Sequence, residues 1–234
     1  MENHQPSCLT CKARLSGIFA EMNLDDVLWL DELKQCKPFK KGELIFQEGH
    51  YPKGLFCVNS GKIKVAQLGD DGKEQIVHLI HTGNTMGHRA ILGNDQYSCS
   101  SVAMEDSQVC FIPKEAFERM LMNNAKLALK IAHLLSDELK DLEKKVTHSV
   151  QHSVKSRLAE AILELKKNYG FLNDGITIDV KVTREDLANL AGTSRETATR
   201  YLYEFQNEGV LKLDKKQIKI VNVKLLEQFS HSHA

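Results

Sequence analysis

The sequence predicts an α+β protein with an N-terminal β-roll of the jelly-roll type, a long central helix and a C-terminal winged helix-turn-helix. Three observations support this prediction. Short apolar runs separated by glycines occupy the first half, a long amphipathic pattern follows, and two short helical patterns flank a glycine before a final hairpin pattern. With 234 residues, the chain is long enough for two domains that each bury a core.

The β-roll is predicted between residues 39 and 113. Several short apolar runs with glycines between them are typical of a small all-β barrel or jelly roll. The Asp71-Gly72 pair is a strong hairpin turn between two of the runs. The predicted strands are residues 43–46, 55–58, 62–68, 75–80, 102–103 and 109–112.

The central helix is predicted from Lys114, directly after Pro113, to about His148. Its apolar residues recur at spacings of three and four, which suits a two-stranded coiled coil. The alternative is a helix that packs on its own β-roll. The apolar stripe consists of Leu127, Ile131, Leu135, Leu139, Leu142 and Val146.

The helix-turn-helix is predicted over residues 182–205. Thr183 can cap the first helix together with Asp186, and Gly192 suits a left-handed helix end. Thr193 or Ser194 can then cap the second helix. The second helix has an apolar side with Ala198, Leu202 and Phe205, and a polar side with Glu196, Thr199, Arg200 and Tyr203.

A β-wing is predicted after the two helices, because apolar and polar residues alternate along residues 210–213 and 217–221 and Asp214-Lys215-Lys216 joins the two runs. The polar helix face, with the neighbouring Arg195, carries groups that can read base edges in a major groove. The alternative is that Glu196 completes a capping box begun by Thr193 and that the arginines are solvated surface.

The run TSRETATR from Thr193 to Arg200, with the upstream Val182-Thr183-Arg184 and the wing, closely resembles the DNA-binding domain of the CRP/FNR superfamily of bacterial transcription regulators. In the catabolite-activator type, the positions matching Arg195, Glu196 and Arg200 contact bases. In the fumarate-nitrate type, the positions matching Glu196, Thr199 and Arg200 do so. The predicted DNA-binding residues are Thr183, Ser194, Arg195, Glu196, Thr199, Arg200, Lys215 and Lys216.

The resemblance implies a transcription regulator, not an enzyme, that works as a homodimer on a two-fold duplex DNA site and has RNA polymerase as a further partner. The expected segments are an N-terminal cysteine-containing arm (1–20), a β-roll sensor domain (21–113), a dimerisation helix (114–148) and a winged-helix DNA-binding domain (149–234), with a hinge at 149–156. Net charge gives little evidence for DNA binding, because the chain from Val150 onward has 13 basic and 11 acidic residues. The N-terminus lacks an apolar signal region, which predicts a cytoplasmic protein without membrane contact.

The cysteines are candidate sensor groups. Six cysteines in a cytosolic chain are better explained as core residues, metal ligands or redox thiols than as a disulfide framework. The Cys8-x-x-Cys11 pair can hold a metal or a cluster or form a disulfide, and nearby cations are expected to lower its thiol pKa. The fumarate-nitrate branch holds a [4Fe-4S] cluster, and Cys8, Cys11 and Cys110 match three of its ligands. The fourth position falls near residues 16–17, so His4, Cys36 or an outside ligand would have to replace it.

Cys57 and Cys99 are expected to be structural. The effector segment of cyclic AMP-binding relatives matches residues 83–101, but His88 follows Gly87 where they have Glu, and Tyr97 precedes Ser98 where they have Arg. Cyclic AMP is therefore not expected, although another small ligand could use Gly87, His88, Arg89, Tyr97 and Ser98. Two alternatives to an iron–sulfur cluster are a haem with His88 or Cys99 as axial ligand, and a jelly-roll metal enzyme using His78, His81 and His88.

Overall fold

A computed structural model describes residues 5–70 and 72–231 and divides the chain into two compact units. The first contains residues up to 65 and residues 80–140, and the second contains residues 66–79 and residues from 141 onward. His4, one proposed substitute ligand, lies outside the described residues. Within the described ranges, no helix combines the length and apolar character needed to cross a membrane.

The β-roll consists of two four-stranded sheets, ordered β1-β8-β3-β6 and β2-β7-β4-β5. The strands are β1 (Gln35–Phe39), β2 (Leu44–Phe46), β3 (Gly54–Ser60), β4 (Lys62–Leu68), β5 (Glu74–His81), β6 (Thr85–Met86), β7 (Ser100–Ala103) and β8 (Ser107–Pro113). All six predicted strands are present. The prediction missed β1, whose sequence QCKPF lacks an apolar run, and β6, which has two residues. Asp71 lies outside the described residues, and Gly72 has the positive φ of 76° that a tight turn requires.

The N-terminal arm is more ordered than the sequence predicts. It contains helix α1 (Lys12–Ser16), and α2 (Leu24–Leu33) follows before the first strand. Phe19 and Leu30 are buried in one apolar cluster with Leu55 and Ile112 of the β-roll. The arm therefore packs on the sheet because its few apolar side chains are covered there.

The prediction of one continuous helix from Lys114 to His148 is wrong, because the structure has α4 (Lys114–Asn123) and α5 (Ala125–Gln151). Asn124 separates them with a non-helical φ of −132°, and its side-chain oxygen accepts a hydrogen bond from the Leu127 N–H at 3.0 Å. Asparagine favours this capping role over a helix interior. The short helix α3 (His88–Leu92) lies earlier in the chain, between β6 and β7.

The apolar stripe of α5 divides into two parts. Leu127 and Ile131 are buried within the first unit, at 2% and 3% exposure, as expected for a helix packed on its own β-roll. Leu139, Leu142 and Val146 are exposed at 57%, 49% and 59%. The second half of the stripe thus presents apolar side chains to solvent.

The C-terminal part is a winged helix. Its elements are α6 (Val154–Tyr169), α7 (Arg184–Ala191), α8 (Arg195–Asn207), β9 (Leu211–Asp214), β10 (Gln217–Ile220) and α9 (Val223–Ser230). The core is formed by Leu158, Ile162, Leu187, Leu202 and Phe205, each with 0% exposure. The predicted hinge at 149–156 is too long, since α5 continues to Gln151 and Ser153 already caps α6.

Candidate DNA-binding surface and cysteine site

The start of α7 is held by a capping box. The Thr183 hydroxyl oxygen accepts from the Asp186 N–H at 3.0 Å, and an Asp186 carboxylate oxygen accepts from the Thr183 N–H at 2.9 Å. Gly192 ends the helix with φ 61°, and Ser194, rather than Thr193, caps α8. These local signals determine where each helix begins and ends, and each was predicted from the sequence.

Helix α8 has one buried and one exposed face. Ala198, Leu202 and Phe205 have 0% exposure, whereas Arg195, Glu196, Arg200 and Tyr203 are exposed and Thr199 is half-buried. The Thr199 hydroxyl donates to the Arg195 carbonyl at 2.7 Å, and the Arg200 guanidinium lies 4.7 Å from the Tyr201 ring centroid. Four of the predicted base-contacting residues are therefore brought together on one turn and a half of helix.

Glu196 has a local role as well. The pKa of its carboxyl is lowered by its own backbone N–H and by the Ser194 hydroxyl. The capping box of Thr193 with Glu196 is not formed, because Ser194 is the cap and its hydroxyl accepts from the Thr197 N–H. The Glu196 carboxylate lies in the first turn of α8. It stays fully exposed to solvent and so remains available to a ligand.

Arg157 supports the turn of the helix-turn-helix, a role that sequence inspection missed. Its guanidinium on α6 donates to the carbonyls of Ala191 at 3.0 Å and Gly192 at 3.3 Å, and to that of His152 at 2.9 Å. The first two acceptors lie at the C-terminal end of α7, where carbonyls lack helical partners and the helix dipole favours a cation.

The wing carries two lysines at its tip. Lys215 has a positive φ of 52°, and Lys215 and Lys216 form a two-residue turn because Asp214 belongs to β9. The Lys216 carbonyl accepts from the Val182 N–H at 2.9 Å, which ties the tip to the residue before the α7 cap. Both lysine side chains are exposed.

The cysteine arm is anchored by Asp31 on α2. Its carboxylate accepts from the Cys8 N–H at 2.6 Å, from the Ser7 hydroxyl at 2.9 Å and from the Lys34 ammonium at 2.6 Å. Burial alone would raise the pKa of Asp31, but these donors lower it to about 2. Arg14 donates to the Cys8 carbonyl at 2.8 Å and so closes the loop that carries both arm cysteines.

Five of the six cysteines converge at the β-roll surface under the arm. Cys110 on β8 is directly paired with Cys36 on β1 and with Cys57 on β3. Residues opposite each other on antiparallel strands project to the same face, so these three side chains lie in a row. Cys8, Cys11, Cys57 and Cys110 all line one cavity of about 40 Å³, and the Cys11 sulfur accepts from the Asn59 side-chain N–H at 3.2 Å.

One expectation about the thiols is corrected. Burial raises the pKa of Cys8 to about 12 and outweighs the lowering effect of Lys34, so nearby cations do not activate this thiol. Cys57 lines the same cavity as the arm cysteines, and burial raises its pKa too. Cys36 is joined to Cys110 in a disulfide.

The predicted effector segment contains a buried aromatic residue. Tyr97 is 7% exposed and stacks on Phe46 with ring centroids 4.2 Å apart. Gly87 has φ 89° and precedes His88, which is buried and contacts Glu138 through Nε2 at 3.2 Å. The other two predicted effector residues, Arg89 and Ser98, lie beside Cys99. The Cys99 sulfur is 3.9 Å from the Arg89 guanidinium and 3.7 Å from the Ser98 hydroxyl.

The imidazoles proposed for an enzyme site do not converge. Within the described ranges, the one group of three potential ligands with atoms within 4.8 Å of one another is His148, His152 and Glu160. His78 and His81 lie on β5, three residues apart, so their side chains leave opposite faces of the strand.

The winged helix with an exposed polar helix face is the architecture of a DNA-binding regulator, and the β-roll carries the cavity lined by cysteines. A cyclic nucleotide-binding domain model matches residues 36–124, and a Crp-like helix-turn-helix domain model matches residues 156–229. The fumarate and nitrate reduction regulatory protein of Vibrio cholerae is 30% identical over 219 residues, 92% of this chain and 86% of that protein.

Other relatives support the same assignment. The cyclic AMP receptor protein of Thermus thermophilus is 28% identical over 196 residues, 84% of this chain and 88% of that protein. The crystal structure of a transcriptional regulator from Eubacterium rectale has a TM-score of 0.74 at 25% identity, covering 92% of this chain and 98% of that one. The chain belongs to the CRP/FNR family of transcription regulators, and it is a DNA-binding regulator and not an enzyme.

Proposed function

We propose that two copies of the chain bind a two-fold DNA site, with α8 of each copy in a major groove. Support comes from the exposed face of α8, where Arg195, Glu196, Thr199 and Arg200 can pair with base edges while the opposite face is buried. Lys215 and Lys216 at the wing tip are suited to phosphate contacts, because their side chains are exposed. Their ammonium groups lack the planar pair of donors with which a guanidinium binds a base edge. Ser194 and Thr183, which cap the two helices, would act mainly by positioning them.

Dimerisation is proposed through the exposed part of the α5 stripe. Regulators of the CRP/FNR type bind DNA as dimers. Leu139, Leu142 and Val146 are each about half exposed, and a second copy of the helix would cover them at near-heptad spacing. The DNA-bound dimer would act on RNA polymerase in the cytoplasm.

The DNA-reading proposal is tested by Arg200→Ala. The preferred duplex is first selected from a random library, and binding is then measured by fluorescence anisotropy at one fixed salt concentration. We expect binding to that duplex to weaken by about 1–3 kcal/mol, with relaxed preference at one base pair. Lys216→Ala is the control and should weaken selected and random DNA alike. Equal loss on both DNAs for Arg200→Ala would show that this residue holds phosphate.

The signal is proposed to act at the cysteine site through Cys8, Cys11 and Cys110. With the Cys36–Cys110 disulfide reduced, the donor set would fit an iron–sulfur cluster, because Cys8, Cys11 and Cys110 line one cavity. The Cys11 sulfur already accepts hydrogen bonds from the Arg14 N–H and from the Asn59 side chain. Such a cluster would supply sensitivity to oxygen. The chain's own residues fix the arm against the sheet, so a change at the site alters how α1 packs on β3.

A small ligand or haem near Gly87, His88, Arg89, Tyr97 and Ser98 is the second candidate for the signal. It is favoured by the buried His88 Nδ1, which has no hydrogen-bond partner in the part of the chain that the structure describes. Protein purified without oxygen distinguishes the two by its absorption and iron content before and after exposure to air. A broad band that bleaches supports a cluster at the cysteine site, and a sharp intense band supports haem. A colourless, iron-free protein contradicts both the cluster and haem, and leaves a thiol switch or a small ligand near Gly87.

A further inference from the structure

Cys57 is placed to complete the cysteine site. It faces Cys110 directly across the β3–β8 pair, and Asn59, two residues along the same face of β3, contacts the Cys11 sulfur at 3.2 Å. Cys8 is 6% exposed and lines the same cavity. Two cysteines therefore come from the arm and two from neighbouring strands of one sheet, around a common cavity.

Cys36 is placed to remove one of these four cysteines, Cys110, from the site. It is paired with Cys110 from the opposite side, on β1, and the two sulfurs form a disulfide. A sulfur bound in a disulfide is not a thiolate and cannot serve as a metal ligand in that form. A DNA-binding regulator works where cellular thiol systems keep most cysteines reduced, and disulfides found there are typically transient and redox-active.

We propose that Cys57 is the fourth thiolate of the cysteine site and that Cys36 withdraws Cys110 from it by forming the disulfide. This inference rests on the proposed sensor role of Cys8, Cys11 and Cys110. The site then has two exclusive states. In one, Cys110 joins Cys8, Cys11 and Cys57 as a ligand, and in the other it is bonded to Cys36.

The exchange between the states is a two-electron reaction. Opening requires a dithiol reductant: one of its thiolates attacks a disulfide sulfur, a mixed disulfide forms, and its second thiol displaces the remaining cysteine. The reductant leaves as a disulfide, and its two protons are taken up by Cys36 and Cys110, which become thiols. Closing requires a small-molecule disulfide as oxidant, which is reduced to two thiols as the Cys36–Cys110 bond forms.

The test is loading with ferrous iron and sulfide under anaerobic conditions, read as iron and sulfide per chain and as the visible spectrum. Full-length protein is reduced with dithiothreitol, which is removed before loading. We expect Cys57→Ser to retain less than a quarter of the iron of the unchanged protein. Cys99→Ser is the matched control, because Cys99 is a free, buried cysteine elsewhere in the same domain, and it should load fully. Far-UV circular dichroism and Cys57→Ala establish that the loss is not misfolding.

The disulfide half of the proposal has its own test. Without prior reduction, the unchanged protein should load poorly and Cys36→Ser should load fully, since Cys110 has no partner there. Full loading of Cys57→Ser overturns the role of Cys57 while leaving the sensor proposal intact, and equal loading with and without reduction overturns the role of Cys36. If reduced protein and all variants hold no iron, the sensor proposal itself fails.

A separate observation points to a cation site on the second unit. His148 in the last turn of α5 and His152 four residues later have stacked rings with centroids 4.3 Å apart, and His148 Nδ1 lies 2.7 Å from the Glu160 carboxylate of α6. One ligand atom from each of the three residues lies within 4.8 Å of the others. His148 and Glu160 also line an open cleft, so an ion can reach them.

We infer that these three residues bind a divalent transition metal, with zinc as the best match to two imidazoles and one carboxylate. The ion would join the last turn of α5 to α6. Zinc binding is measured by competition with a chromogenic chelator, and His148→Ala with His152→Ala should bind one zinc fewer per chain than the unchanged protein. His133→Ala, on an exposed position of the same helix, should bind the same number. Unchanged stoichiometry in the double variant and in Glu160→Gln overturns the inference.

Discussion

Replacing Arg157 with alanine is expected to destabilise the DNA-binding unit without touching its DNA-facing surface. The guanidinium makes three hydrogen bonds to backbone carbonyls at 2.9–3.3 Å, two of them at the end of α7. Hydrogen bonds from a charged group contribute about 1.5–3 kcal/mol each when buried, but Arg157 is half-buried and water can replace part of them. The expected loss is about 2–3 kcal/mol in the free energy of unfolding.

The assay uses the single tryptophan, Trp29, which lies on α2 in the first unit. Urea unfolding followed by far-UV circular dichroism reports on both units, whereas Trp29 fluorescence reports on the first alone. The Arg157→Ala transition seen by circular dichroism should gain a component that unfolds about 1–2 M earlier in urea. The fluorescence transition should move much less.

Two further variants make the result decisive. Arg200→Ala removes the same side chain from the same unit, but its guanidinium is exposed over the Tyr201 ring, so stability should change by less than about 0.5 kcal/mol. Arg157→Lys should recover only part of the loss, because an ammonium cannot reach three divergent carbonyls. An unchanged circular dichroism transition for Arg157→Ala would refute the proposed support of the turn.

Three more predictions follow from particular contacts. The Asp31 pKa is held at about 2, below its unfolded value near 4, so the stabilisation by Asp31 is present above pH 4 and is lost as pH falls through 2. Asp31→Asn should therefore flatten the pH dependence of unfolding, followed by Trp29 fluorescence, between about pH 4 and 2. An unaltered pH profile would contradict the role of Asp31 as an anchor of the arm. Thr183→Ala should cost about 1 kcal/mol in urea unfolding through loss of the capping box, and no cost would deny its role. Leu142→Asp should convert the dimer to a monomer in sedimentation, whereas Lys140→Asp should leave it dimeric; a dimeric Leu142→Asp would place the interface elsewhere.

The winged helix was largely predictable from sequence because its signals are local. Capping by Thr183 and Asp186, the left-handed turn at Gly192 and the apolar spacing of α8 each depend on residues within one or two helical turns. The same reasoning found the exposed face with Arg195, Glu196, Thr199 and Arg200. The break at Asn124 carried a local signal too, but the long apolar periodicity on both sides of it dominated the prediction.

The sequence by itself determined the class of protein, the two kinds of domain and the residues available to read DNA, since these depend on local spacing and a recognisable motif. Only the tertiary structure decided which cysteines meet. Cys36, Cys57 and Cys110 are up to 74 residues apart, and strand register rather than sequence spacing places them in one row. Arg157 was undetectable for the same reason, because its acceptors are backbone carbonyls 34 and 35 residues away that become neighbours only when α6 packs against α7.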